Sequence, residues 1–138
     1  MAEALILDAE ALNALAHASE RPALANRARA ILQIAHAEGA LVRVPAPVLA
    51  EVCRGGPRDA PVNRVLNGRG LVVVGLGDRA ARRAGGLLSQ AKMGSEHAVN
   101  AFVVSTALEF GSAVIATGDP DDIARLSSRF RHIRIFAV

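Results

Sequence analysis

Short apolar runs alternate with helical stretches along the chain, and this alternation restricts the fold more than any other feature. The first run, Ala4-Leu5-Ile6-Leu7, contains no polar residue. Strands that are apolar on both sides are typical of a parallel sheet with helices on both faces. Further strands are predicted at 41–44, 71–74, 113–116 and, as an alternating edge strand, 131–136. The sequence therefore predicts a three-layer α/β/α fold with a mostly parallel central sheet of about five strands.

Helices are predicted between these strands, where apolar residues recur at helical spacing. Pro22 and Gly39 mark the start and end of the longest helix, and Asp78 is predicted as an N-cap. The predicted ranges are 10–16, 22–38, 48–54, 59–66, 78–92, 96–110 and 120–127. A chain of 138 residues has the length of one domain, so we expect residues 1–138 to form a single domain.

Charge and composition narrow the class of protein. The net charge is +3, and the basic side chains are almost all arginine, with Lys92 the single lysine. Such a balance is typical of nucleic-acid binding, although a genome rich in Ala, Arg and Gly codons would produce it too. Because Cys53 is the single cysteine, no internal disulfide can form. No apolar run approaches about 18 residues and no signal peptide is evident, so we expect a cytoplasmic protein without a membrane span.

Acidic residues follow two of the predicted strands. Asp8 comes directly after the first strand, and the segment Thr117-Gly118-Asp119-Pro120-Asp121-Asp122 follows the fourth. Helix capping by Asp8 and Asp119 explains part of this pattern. Ligands in parallel sheets collect at the carboxyl ends of the strands, however, and a divalent cation would relieve repulsion between carboxylates placed there. We therefore expect an acidic, cation-binding pocket at this end of the sheet.

Three further polar residues are candidates for the same pocket. Glu51 lies on a short predicted helix, where an ion pair with Arg54 is the alternative role. Asn100 lies on a helix that is otherwise rich in apolar residues, where a satisfied buried amide or a surface residue is the alternative. Glu96 lies one turn before Asn100, and the two side chains share a face if the helix already includes Glu96.

Four segments, taken in order, resemble a PIN-domain ribonuclease of the VapC type, the toxin of a bacterial toxin–antitoxin pair. The resemblance covers nearly the whole chain, and no single segment is specific by itself. The segments are Leu5-Ile6-Leu7-Asp8-Ala9, Pro47-Val48-Leu49-Ala50-Glu51-Val52, Ala98-Val99-Asn100-Ala101 and Ala116-Thr117-Gly118-Asp119-Pro120-Asp121-Asp122-Ile123.

The resemblance implies a PIN-like fold and a site formed by Asp8, Glu51 and Asp119, with Asp122 as a further candidate ligand. It implies Mg²⁺ or Mn²⁺ as the cofactor and metal-assisted hydrolysis of an RNA phosphodiester, with tRNA a frequent substrate class in the family. Glu51 would act as general base or hold water. Thr117 would orient the segment 117–122, which we call the acidic turn. The family carries an acid where this chain has Asn100, and an amide keeps an oxygen ligand but loses the charge. An engineered inactivating change, compensation by Glu96 and a weakly active natural toxin all remain open.

Partners are implied by the same resemblance: an RNA substrate, a VapB-type antitoxin and a second copy in a homodimer. Arginines at 43, 54, 58, 64 and 69 are candidates for RNA contacts, and the low aromatic content predicts little base stacking. An apolar groove near Leu12, Leu15, Ile31 and Ile34 would suit an antitoxin helix, unless these residues belong to the core.

Other functions were weighed against this one. The main alternative is a catalytically impaired PIN domain, disabled at Asn100, that binds RNA or protein. A phospho-acceptor receiver domain would need a lysine near the last strand, and a nucleotide-binding fold would need a third glycine after Gly75-Leu76-Gly77 or a Walker lysine. The four histidines lack zinc-ligand spacing, and His97 is more simply a helix-surface residue than a substrate contact.

Overall fold

A five-stranded parallel sheet organises the protein. The structure, a computed structural model, describes residues 2–138. The strands are β1 (Ala4–Leu7), β2 (Leu41–Pro45), β3 (Leu71–Val74), β4 (Ala113–Thr117) and β5 (Ile133–Ala137), in the order β3-β2-β1-β4-β5. All four pairings are parallel. Because the chain first adds strands on one side of β1 and then on the other, β1 and β4 meet where the direction of winding reverses.

The central strands are the most buried part of the chain. Every residue of β1 and β4 is buried, and the register pairs Leu7 with Ala116 at the carboxyl end. Apolar residues on both sides of a strand require cover on both faces, which the helices supply. The residues that directly follow these two strands are therefore held together at one edge of the sheet.

Among residues 2–138, seven α-helices cover the two faces. They are α1 (Ala9–Ala16), α2 (Pro22–Ala37), α3 (Val48–Val52), α4 (Ala60–Leu66), α5 (Asp78–Ala91), α6 (Ala98–Ala107) and α7 (Pro120–Ser127). Helix α1 packs against α2, α3 and α4, whereas α5, α6 and α7 pack against one another. Two layers of helices therefore enclose the sheet, which confirms the predicted α/β/α architecture and sharpens "mostly parallel" to fully parallel. Within residues 2–138, no helix has both the length and the apolar character needed to cross a bilayer.

Several local predictions are wrong. Gly77, not Asp78, is the N-cap of α5, and Asp78 is the first helical residue. The helix predicted from Glu96 begins instead as a short 3₁₀ helix, Ser95–His97, and α6 follows from Ala98. A 3₁₀ helix has three residues per turn, so Glu96 does not share the face of α6 that carries Asn100.

The predicted apolar docking groove is also wrong. Leu12 and Ile31 are buried in the core, and Leu15 packs against that core. Only Ile34 of the four is exposed. Helical spacing placed these side chains on neighbouring faces correctly, but those faces close on each other and on the sheet because α1 and α2 pack together.

Candidate active site

Asp8 occupies the junction between β1 and α1. Its carboxylate is almost fully buried and caps the helix: Oδ1 accepts a hydrogen bond from Ala11 N–H at 2.9 Å. Oδ2 accepts from Gly118 N–H at 3.1 Å, 110 residues away in the chain. The capping role weighed from the sequence is thus real, and the same carboxylate also binds the turn after β4. Thr117 also hydrogen-bonds this carboxylate, so three of its four lone-pair directions are used and one is left for another ligand.

Burial raises the pKa of the Asp8 carboxyl above its ordinary value. Hydrogen bonds from Thr117, Ala11 and Gly118 oppose that rise, and the negative charge of Asp119 adds to it. A buried carboxylate beside another carboxylate is a place where a cation would lower the free energy of the charged form.

Thr117 links Asp8 to the acidic turn. It is fully buried as the last residue of β4, it hydrogen-bonds Asp8, and its Oγ1 accepts from Asp119 N–H at 2.8 Å. Asp119 is the N-cap of α7 by position, yet its side chain makes no capping hydrogen bond. Capping therefore does not account for the Asp119 carboxylate, which is left exposed beside Asp8.

Asn100 on α6 reaches the same turn. Its Nδ2 lies 3.5 Å from Oδ2 of Asp119, at the limit of a hydrogen bond. Asn100 is thus neither a buried amide satisfied within α6 nor a side chain directed only into solvent. Its carbonyl oxygen remains the one atom of this side chain that can act as a metal ligand.

Asp122, Glu96 and His97 form an adjoining group. His97 Nδ1 lies 3.5 Å from Asp122 Oδ2, and its Nε2 lies 3.7 Å from Glu96 Oε1. The Glu96 side chain is largely exposed and lies against Gly94. Glu96 and Asp122 therefore lie against different nitrogens of the His97 ring.

Glu51 lies in a different part of the surface, on α3. It lines a cavity of about 460 Å³ together with residues of α1, α2 and the 3₁₀ turn Gly56–Asp59. Arg54, considered as its ion-pair partner, instead donates to the carbonyls of Ala50 and Cys53. Glu51 therefore has no competing ion pair with Arg54 and faces a solvent-filled space.

Glu10 is a residue that the sequence analysis missed. It lines the same cavity as Glu51 and forms an ion pair with Arg21. Its side chain lies so close to Gly118 that a Cβ at position 118 would overlap it. Glu10 therefore joins the Glu51 cavity to the Asp8 turn. Its position two residues after Asp8, in the first turn of α1, was the available signal.

Comparison with known proteins identifies the architecture. No sequence family matches the chain, and no curated protein matches it either. Among solved structures, a chain of VapBC2 from Rickettsia felis, crystallised with a DNA fragment from its promoter, superposes with a TM-score of 0.64. The superposition covers 97% of this chain and 98% of that one, at 12% sequence identity. The fold is the PIN-like fold of VapC. At this identity the likeness concerns the fold.

The VapC-type fold places the acidic turn at the carboxyl edge of β1 and β4, where parallel sheets bind ligands. Within residues 2–138, no three His, Cys, Asp or Glu side chains form a ready-made metal site. Two carboxylates and an amide do meet there: Asp8, Asp119 and Asn100. Mg²⁺ is commonly held by one or two carboxylates and keeps several waters, so this donor set fits it, with less negative charge than a three-acid set.

Proposed function

We propose that the protein is a metal-dependent endoribonuclease toxin of the VapC type. The observation that carries this proposal is the meeting of two carboxylates at one turn, where Asp8 is buried with a raised pKa and Asp119 lies beside it without a capping role. The VapC-type fold supports it, because both residues stand at the ligand-binding edge of that sheet.

Asp8, Asp119 and the oxygen of Asn100 would hold Mg²⁺ or Mn²⁺, with Asp122 one helical turn away. A bound divalent ion supplies a nucleophilic water at neutral pH and stabilises charge on the phosphoryl oxygens. Gly118 N–H binds the Asp8 carboxylate, and Thr117 Oγ1 accepts from the backbone N–H of Asp119, so the turn that carries both acids is held in place. Glu51 and Glu10 line the adjoining cavity, where a carboxylate can accept a proton from water.

RNA would approach through the cavity beside the acidic turn. Arg21, Arg54 and Arg58 line it, and guanidinium groups suit phosphate oxygens. With no Trp or Tyr and only 4 Phe in the chain, phosphate contacts rather than base stacking would supply most of the affinity.

A protein partner is also part of the proposal. VapBC2 is by its name a complex, and we propose that this chain too binds a small VapB-type antitoxin that covers the acidic turn and its cavity. Homodimer formation stays a prediction from the family resemblance.

The second candidate is a binding module that has lost catalysis. Asn100 favours it, because its amide contributes no charge and its Nδ2 faces Asp119. One experiment separates the two functions. The protein, its Asn100→Asp variant and a control, Asn26→Asp on the exposed surface of α2, are incubated with unfractionated tRNA in Mg²⁺, Mn²⁺ or EDTA.

We expect metal-dependent cleavage by the Asn100→Asp variant, at a rate well above that of the unchanged protein. The control should behave like the unchanged protein, because Asn26 lies on another helix. Cleavage that persists in EDTA would contradict the metal requirement. If none of the three proteins cuts RNA with either metal, while all of them bind it, the binding module is the correct function.

A further inference from the structure

A second polar cavity lies at the end of the sheet opposite the acidic turn. Its volume is about 320 Å³, and we call it the amino-edge cavity. Its lining residues are Ala2, Ser112, Val114, Arg131, His132 and Arg134. Most of them directly precede or begin the strands β1, β4 and β5, whereas Asp8 and Thr117 stand at the other end of β1 and β4. Since β4 is five residues long, the two sites are roughly 16 Å apart.

Every charged or titratable side chain that lines the amino-edge cavity is basic. The larger cavity beside the acidic turn differs, because Glu10, Glu20, Glu51 and Asp59 offset its arginines. Glu3, next to Ala2 in the chain, directs Oε2 to Gly111 N–H at 2.9 Å and does not line the cavity. The amino-edge cavity therefore concentrates positive charge without a compensating acid in its wall.

The two arginines that line this cavity have unused N–H hydrogen-bond donors. Within residues 2–138, the guanidinium group of neither Arg131 nor Arg134 makes a hydrogen bond or ion pair with the protein. By contrast, Arg125 donates to the carbonyl of Ala91, and Arg129 donates to Gln90. Guanidinium groups that the fold leaves unpaired are available to an anion, and their planar forks match a phosphate group.

Neighbouring groups hold the cavity in shape. The pairing of Val114 with Arg134 places these two residues side by side on the same face of the sheet. His132 packs edge-on against Phe130, with ring centroids 6.1 Å apart. Ser112 Oγ accepts from Glu3 N–H at 3.0 Å, which leaves its own O–H as a donor.

We propose that the amino-edge cavity binds two backbone phosphates of RNA, one at each arginine, as a second anchoring point distant from the acidic turn. This proposal rests on the proposed ribonuclease function, since it is RNA held at the cavity that would be cut at Asp8 and Asp119. The lining offers charged donors and only two small apolar side chains, Ala2 and Val114, so it lacks the apolar pocket that anchors a protein partner. RNA that follows the exposed edge of β5 reaches both ends of the sheet.

The test measures RNA binding in EDTA, where cleavage cannot interfere. The variant Arg131→Gln/Arg134→Gln is compared with the unchanged protein and with Arg27→Gln/Arg29→Gln. The control pair removes the same charge from exposed positions of α2, which packs on α1, β1 and β2. Fluorescence anisotropy of a labelled single-stranded RNA of about 16 nucleotides gives the dissociation constant at several salt concentrations.

We expect the amino-edge variant to bind RNA about five- to tenfold more weakly at low salt, and its salt slope to fall by about 1.4, for two lost phosphate contacts. The control variant should keep the slope of the unchanged protein. Arg131 lies outside β5, so the single variant Arg131→Gln keeps the test valid if the double variant does not fold. It should reduce the salt slope by about 0.7.

Equal slopes for the amino-edge variant and the unchanged protein would overturn the proposal. The result is independent of catalysis. Weaker binding by the variant would support the anchoring point even if Asn100→Asp cuts no RNA, and unchanged binding would remove it even if Asn100→Asp proves to be an active nuclease.

Discussion

Asp8 carries a negative charge that its surroundings disfavour. Burial and the nearby Asp119 raise its pKa, so the folded protein keeps the Asp8 proton to a higher pH than the unfolded chain does. The contribution of Asp8 to stability is therefore fully present below its ordinary pKa of 3.8 and is lost as the pH rises through the raised value. Above that raised pKa and without a cation, the charged carboxylate lowers stability relative to a neutral cap.

The variant Asp8→Ser tests this reasoning, because serine keeps an N-cap oxygen without the charge. Urea unfolding in EDTA, between about pH 4 and pH 7, should show the free energy of unfolding of the unchanged protein declining relative to that of the variant as the pH rises. Adding Mn²⁺ at neutral pH should offset the decline. A difference that stays constant over this pH range would mean that the Asp8 pKa is not raised.

Sequence position was enough to find Asp8 and Asp119, because both directly follow apolar strands that run parallel. It was not enough to find Glu10. The Glu10 side chain packs against Gly118, which lies more than a hundred residues away in the chain and has no side chain to exclude Glu10. Nor could spacing show that Arg54 would donate to backbone carbonyls instead of pairing with Glu51. Such contacts depend on rotamers and on chain segments distant in sequence.

At the scale of elements, helix α6 brings Asn100 to the acidic turn, and α5 fixes the other half of α6. Arg83 on α5 donates Nε to Ser105 Oγ at 2.9 Å and a terminal N–H to the Ser105 carbonyl at 2.7 Å. The fully buried Ser105 hydroxyl in turn donates to the carbonyl of Ala80 at 2.8 Å. This network joins the two helices by polar contacts in addition to apolar packing.

Replacing Ser105 by alanine should lower the free energy of unfolding by about 1–2 kcal/mol, since Arg83 Nε loses its acceptor and the Ala80 carbonyl loses a side-chain donor. The control, Ser89→Ala on the exposed side of α5, should change it by less than about 0.5 kcal/mol. Urea denaturation of both variants measures the difference. If the two variants are equally stable, the network adds nothing to the packing of α5 on α6.

Most elements were predictable because each has a local cause. The ranges of β1, β3 and α7 match their apolar runs and the Asp119-Pro120 start. The prediction of an α-helix from Glu96 is wrong because residues Ser95–His97 form a 3₁₀ helix. The spacing of apolar residues does not reveal such a change of helix type. The sequence pattern could not predict the order of the strands, because that order depends on which crossovers pack on which face of the sheet.

The whole molecule has opposite charge at the two ends of its sheet. Carboxylates of Asp8 and Asp119 gather at the carboxyl edge, and Arg131 and Arg134 line a cavity at the amino edge. The net charge of +3 does not reveal this separation, because composition averages over the surface. Under the two proposals, a divalent cation and the RNA backbone would bind at opposite ends of the sheet and would not compete for one site.

A cation that binds the carboxylate edge of the folded chain should stabilise the whole molecule by mass action. At about 100 times its dissociation constant, Mn²⁺ would add about 2.7 kcal/mol to the free energy of unfolding and raise the melting temperature by several degrees. Asp119→Asn should sharply reduce this increase, because it removes one of the two carboxylates that meet at the turn. Asp121→Asn is the matched control, since Asp121 also lies in the first turn of α7 and is exposed.

Differential scanning fluorimetry across a Mn²⁺ titration measures the effect, with EDTA as the metal-free reference. Asn100→Asp should steepen the response, because a third carboxylate strengthens the donor set for a hard cation. If Asp119→Asn and Asp121→Asn respond to Mn²⁺ equally, the ion binds elsewhere on the acidic surface. Asp8 would then serve only as the cap of α1, and metal-dependent hydrolysis at this turn would have to be abandoned.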